Sequence, residues 1–156
     1  MFIEFRASNY RSIGEEQVLS FVPAPKQQEY KENINKQGKY EALNVLALYG
    51  ANASGKSNML KAIGQLDRLV GASARLSSKA KLPYDPFLLR KGWDSKPTMF
   101  EVTFIDDSVR YRYGLTYTQE GVKTEWLFRK AEGKGSRGHS ARPRPWSRGP
   151  NHCASR

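Results

Sequence analysis

The residues Gly50-Ala51-Asn52-Ala53-Ser54-Gly55-Lys56-Ser57 stand at the spacing G-x-x-x-x-G-K-[ST]. Glycines at the two ends of such a loop remove the Cβ that would block close approach. Successive backbone N–H groups can then turn inward around phosphate oxygens. Lys56 is placed to reach the β- and γ-phosphates of a nucleoside triphosphate, and Ser57 to set its hydroxyl on Mg²⁺. A helix starting here adds its N-terminal partial charge. The pattern predicts a site for ATP or a similar triphosphate with Mg²⁺, built from Gly50 to Ser57, with Ser57 as the metal ligand.

A second grouping has carboxylates. In Val102-Thr103-Phe104-Ile105-Asp106-Asp107 two acids follow an apolar stretch, as in a strand whose carboxylates hold Mg²⁺ or orient water for phosphoryl transfer. Such a strand lies inside a parallel sheet and is apolar at nearly every position. Here Glu101 and Thr103 alternate with apolar residues, and Asp106-Asp107-Ser108 reads as the opening of a turn. We therefore read a hairpin and assign no catalytic residue. Glu125, a lone carboxylate on a later strand, is given no catalytic role either.

The elements that must hold the loop follow from pattern. Leu43 to Tyr49 is a nearly continuous apolar run ending at Gly50, the mark of a strand buried on both faces of a parallel sheet. After Lys56, the residues Met59, Ile63, Leu66 and Val70 recur at helical spacing. Lys61, Gln65 and Arg68 fall on other faces, and Gly71 is placed to end the helix. Upstream, Phe2 to Phe5 and Gln17 to Phe21 predict a hairpin, and Lys26 to Tyr40, rich in Lys, Gln, Glu and Asn, predicts an exposed loop. Ser73 to Lys81 is polar and basic, Pro83 and Pro86 break the backbone, and Phe87-Leu88-Leu89 is expected to pack the connection onto the domain. Phe100 to Ile105, Val109 to Tyr117 and Val122 to Phe128 predict an antiparallel meander with one wet face.

Composition bounds the rest. A chain of 156 residues with 38% hydrophobic and 12% aromatic residues has room for one packed domain. The single cysteine, Cys153, has no internal disulfide partner. His139 and His152 lie in the same terminal stretch and make no metal cluster. No segment reads as a membrane span, so a cytoplasmic location is expected. The net charge of +11 is uneven: residues 1–130 hold 20 Lys and Arg against 14 Asp and Glu, whereas 131–156 hold 6 against 1. That last stretch has Trp146 as its one large apolar side chain, which predicts a disordered basic tail after a 1–130 domain. Its arginines and glycines suit phosphate neutralisation on nucleic acid, but the abrupt change of composition near Lys130 is read first as a frameshift or truncation of a longer sequence.

The sequence GANASGKSNMLKAI, placed after an N-terminal strand that ends in NYRSI, resembles the ATP-binding-cassette (ABC) ATPases of the RecF and SMC type. Within that group it is most similar to AAA-family ATP-binding proteins of bacterial defence and overcoming-lysogenization-defect systems. The resemblance covers about residues 1–130, and Asn52 and Asn58 are typical of the subgroup. It implies a nucleotide-contacting role for Asn58 and for Asn9, Arg11 and Ser12 of the NYRSI element. A solvated turn is the alternative for the last three. It also implies an ABC-ATPase-like N-terminal lobe that pairs as a homodimer or with an effector protein, and no membrane partner. The signature motif, Asp-Glu strand and switch histidine of complete relatives are not found here, so hydrolysis by this chain alone is not expected. The fold class expected is α/β, a P-loop NTPase lobe with an antiparallel β meander. Two other functions stay open: a small self-sufficient P-loop kinase or NTPase with Asp106 or Asp107 on Mg²⁺, and a basic nucleic-acid-binding module with a vestigial P-loop.

Overall fold

The structure, a computed structural model, describes residues 1–24, 30–72 and 81–131, together with the backbone of 144–145. Its frame is a six-stranded sheet in the order β2-β1-β5-β6-β7-β8, every neighbouring pair antiparallel. The strands are β1 (Phe2–Ser8), β2 (Gln17–Ser20), β5 (Thr98–Asp106), β6 (Val109–Thr118), β7 (Gly121–Lys130) and β8 (Arg144–Pro145). A separate hairpin joins β3 (Ile34–Gln37) to β4 (Tyr40–Leu43), and the one described helix is α1 (Lys56–Ala72).

Period-two patterning explains the sheet. In β1 the residues Ile3, Phe5 and Ala7 are buried while their neighbours are half-buried. Phe5 and Ala7, with Leu19, Phe100, Leu115 and Tyr117, form a core closed by Ala62, Leu66 and Leu69 of α1. Phe100 lies at its centre. Its ring centroid stands 5.3 Å from Tyr10, 5.8 Å from Tyr117 and 6.0 Å from Phe5, distances at which aromatic pairs attract beyond their area burial. The core thus ties α1, and the loop that begins it, to the Asn9–Ile13 end of the sheet.

Several expectations are corrected. Leu43 to Tyr49 supplies only the last residue of β4. Residues 44–49 pair with no described strand, and Val45 is 75% and Tyr49 91% exposed. A strand buried on both faces needs neighbours at both edges to take its N–H and C=O groups, and no described strand lies beside this one. The expected parallel sheet is accordingly absent among the described residues. Within Lys26 to Tyr40, residues 34–37 and Tyr40 belong to the β3–β4 hairpin, turned at Gly38 (φ 60°) and bridged by Lys36 and Glu41 at 3.0 Å. Ala42 packs with Ile3 and Ile105, which is why this polar segment orders.

Helix α1 runs through Gly71 to Ala72, so that glycine is not its stop. Gln65, placed by its polarity on an outer face, is buried and donates to the Pro83 carbonyl at 3.3 Å, whereas Val70 is 45% exposed. Phe87 packs on Trp93, but Leu88 and Leu89 are exposed. The meander forms as expected, except that β5 is covered on both sides: Glu101 and Thr103 are buried opposite Phe100. Of the expected disordered tail, Arg144 and Pro145 pair with Glu125 and Thr124 of β7. Cys153, His139, His152 and the rest of that stretch, apart from Ala131, lie outside the described residues.

Candidate phosphate-binding site

The loop between residue 49 and α1 is curled by three residues with positive φ: Gly50 at 154°, Ala53 at 62° and Gly55 at 92°. A Cβ at Gly50 would come within 3.1 Å of the Ser54 hydroxyl, and one at Gly55 within 3.1 Å of the Ser12 hydroxyl. Glycine is therefore needed here both for backbone angle and for space. The Lys56 ammonium closes the curl. It donates to the carbonyls of Gly50 (2.8 Å) and Ala51 (2.6 Å) and to Ser54 Oγ (3.2 Å). Helix α1 takes its first bonds from Asn58 N–H (2.9 Å) and Met59 N–H (3.1 Å) to the Gly55 carbonyl. Asn52, Ala53, Ser54 and Ser57 are exposed.

The NYRSI element meets this loop through one residue. Ser12 Oγ accepts from Asn58 Nδ2 at 2.7 Å, so the β1 end and the first turn of α1 are joined beside Gly55. Arg11 sits in the two-residue turn between Tyr10 and Ile13 at φ 52°, a region where a side chain costs about 1 kcal/mol or more. Its N–H donates to the Asp85 carbonyl (2.8 Å), its guanidinium to the Asp85 carboxylate (2.9 and 3.2 Å), and it lies 5.4 Å from the Tyr10 ring centre. The hydrogen bond it donates to Asp85 holds its pKa above the ordinary arginine value.

Asn9 requires a correction. It is buried at φ 51°, a conformation asparagine tolerates better than most. Its amide donates to the carbonyls of Trp93 (3.1 Å) and Lys96 (2.5 Å) and its oxygen accepts from Phe87 N–H (2.9 Å). Both amide hydrogens and one lone pair of its oxygen are thus used within the protein, so its bonds brace residues 87–96. Neither Asp85 nor these carbonyl partners carries a sequence signal, because they stand 74 or more positions away in the chain.

A cavity of about 450 Å³ opens beside the loop, walled by Ser12, Val18, Leu48, Tyr49, Lys56 and Met59 among others. Its mixture of one cation, the hydroxyl-bearing Ser12, Ser54 and Tyr49, and exposed apolar side chains suits a nucleoside with attached phosphates. The glycine-dependent curl, the lysine within it and the exposed Ser57 fit the triphosphate and Mg²⁺ implied by the sequence. Among the described residues no three His, Cys, Asp or Glu side chains converge.

Asp106 and Asp107 do not join the site. Asp107 (φ 46°) and Ser108 (φ 61°) form the tight turn between β5 and β6, as the hairpin reading expects. Phe104 lies opposite Phe2 and Met99 opposite Ser8, so this turn is at the far end of β1 from Ser12. The separation along the strand is about 20 Å. Glu125 accepts from the Tyr113 hydroxyl at 2.7 Å on β7, a sheet contact.

Residues 45–143, which include this loop, α1 and the β5–β7 meander, match the family described as "AAA domain, putative AbiEii toxin, Type IV TA system". A comparison with curated proteins finds no match. No helix among the described residues is long and apolar enough to cross a membrane.

Proposed function

The chain belongs to this AAA-domain family, and from that membership we propose that it is the ATP-binding, N-terminal lobe of an ABC-type ATPase of the RecF and SMC kind. The observation that carries the reading is the lysine-closed curl: Lys56 on the Gly50 and Ala51 carbonyls, with Gly50 and Gly55 at positive φ. Neutral carbonyls hold an ammonium less strongly than phosphate oxygens do, so a swing of the Lys56 side chain exchanges a weaker set of bonds for a charge-assisted one. Ser57 is the residue that would hold Mg²⁺, which when bound neutralises charge on the β- and γ-phosphates. Ser12 and Asn58 brace the side of the loop, and Val18, Leu48, Tyr49 and Met59 offer apolar walls for the base.

The exposed apolar stretch after β4 supports a lobe that is completed by further strands, supplied by a longer chain, a second copy or an effector. The ABC-type ATPases that the sequence resembles couple hydrolysis to DNA-directed or defence activity, and we carry that over as part of the proposal. The test is an ATP titration with Mg²⁺ and with a chelator. Mg²⁺ is expected to tighten binding in the wild type and to have little effect in Ser57→Ala. Equal gain from Mg²⁺ in both proteins would remove Ser57 from the site.

A further inference from the structure

The face of the sheet opposite α1 carries charges that the ATP site does not use. Arg110 on β6 stands directly across from Lys130 on β7, and Arg112 directly across from Phe128. Like charges in a directly opposed pair cost up to about 1 kcal/mol, and neither Arg110 nor Lys130 has a carboxylate partner among the described residues. Arg112 lies over the Phe128 ring at 4.7 Å and shares Glu101 (3.3 Å) with the Trp126 indole N–H (2.7 Å) and with Arg6 (3.8 Å). That one carboxylate is already divided three ways. Three cations are thus gathered around an aromatic ring and a hollow of about 200 Å³ lined by Arg110, Arg112, Phe128 and Lys130.

The neighbouring Trp126 lies flat across Gly114, where any Cβ would overlap its ring. The ring covers Gly114 and bonds to the buried Glu101, and Arg110, Arg112 and Lys130 stand exposed at the edge of this covered middle. We propose that this face binds single-stranded nucleic acid, with Arg110 and Lys130 on backbone phosphates and Phe128, backed by Arg112, as a platform for a base. Charge complementarity with this local cluster, on a 1–130 segment holding 20 Lys and Arg against 14 Asp and Glu, favours a polyanion. A hollow holding one aromatic ring among cations suits an unstacked base rather than the groove of a duplex. The site is separate from the loop at Gly50–Ser57 and does not rest on its reading.

The test is fluorescence anisotropy of the full chain with a labelled oligothymidylate across a salt series. Arg110→Ala/Lys130→Ala is expected to weaken binding by about tenfold or more and to reduce the salt slope by about 1.4, the share of two single-strand phosphate contacts. Phe128→Leu should weaken binding at least about fivefold with the salt slope unchanged. The double variant relieves a repulsive pair, so it should fold, and its ATP affinity should equal that of the wild type. Oligonucleotide binding unchanged in the double variant would overturn the proposal. So would binding to phosphatidylserine vesicles that the double variant loses while the wild type ignores the oligonucleotide.

Discussion

Single side chains divide into those that face a ligand and those that hold the loop's surroundings in place, and Asn9 shows how sequence alone confuses the two. A polar residue in a short turn beside a phosphate loop invites a ligand contact. Its three hydrogen bonds to residues 87–96, however, are long-range facts that no local pattern carries. Asn9→Leu would leave the part-buried Phe87 N–H without a partner, at about 1–3 kcal/mol where water cannot reach it, and would take one of two donors from the Trp93 and Lys96 carbonyls, which keep the Lys96 N–H and the Tyr84 hydroxyl. We expect a fall in the denaturant midpoint of the whole domain, read by urea titration. Ser12→Ala, which loses only its bond to Asn58, should barely move that midpoint. Equal effects from the two would return Asn9 to the solvated turn. The loop itself was legible because its chemistry is contiguous: the glycines, Lys56 and Ser57 act through their own and adjacent backbone.

Among the elements, those whose burial depends on alternation within one strand were readable, and those that depend on a neighbour were not. Hairpin β1–β2 and the β5–β7 meander follow from period-two patterning. The stretch before Gly50 was misread because an apolar run states what a strand would bury, not whether another strand is there to cover it. Hairpin β3–β4 was missed for the converse reason: few of its residues are apolar, and Ala42 gains its burial from Ile3 and Ile105. Tyr117 in β6 gives an element-scale test. Its hydroxyl is buried with no hydrogen-bond partner among the described residues, and burial pushes the phenol well above its ordinary value of 10.0. The folded state then keeps the proton that the unfolded chain gives up. This contribution to stability is full below about pH 10 and is lost as pH rises further. Tyr113, raised by burial and by its bond to Glu125, acts in the same direction. Tyr117→Phe should leave stability near pH 8 equal or up to about 1 kcal/mol higher. It should also flatten the decline above pH 10, measured as urea midpoints. A steeper alkaline decline in the variant would contradict the assignment.

At the scale of the molecule, binding and hydrolysis draw on different places. The phosphate loop sits at the Ser12 end of β1, while the Asp106-Asp107 turn lies at the other end, too far to orient a water on a γ-phosphate. We therefore expect phosphate release from ATP by the purified chain to stay near background at any protein concentration, since each missing group for water orientation or charge stabilisation is worth orders of magnitude in rate. Robust turnover abolished by Asp106→Asn would overturn this and restore the self-sufficient enzyme. The claim on which everything else depends is narrower: the curl closed by Lys56 is a triphosphate site. Isothermal titration of ATP with Mg²⁺ into the folded wild type and into Lys56→Ala tests it most directly. Removing a charge-assisted contact worth about 1.5–3 kcal/mol should weaken binding roughly ten- to a hundredfold while the fold, read by circular dichroism, stays the same. Equal ATP affinity in the two folded proteins would contradict the account.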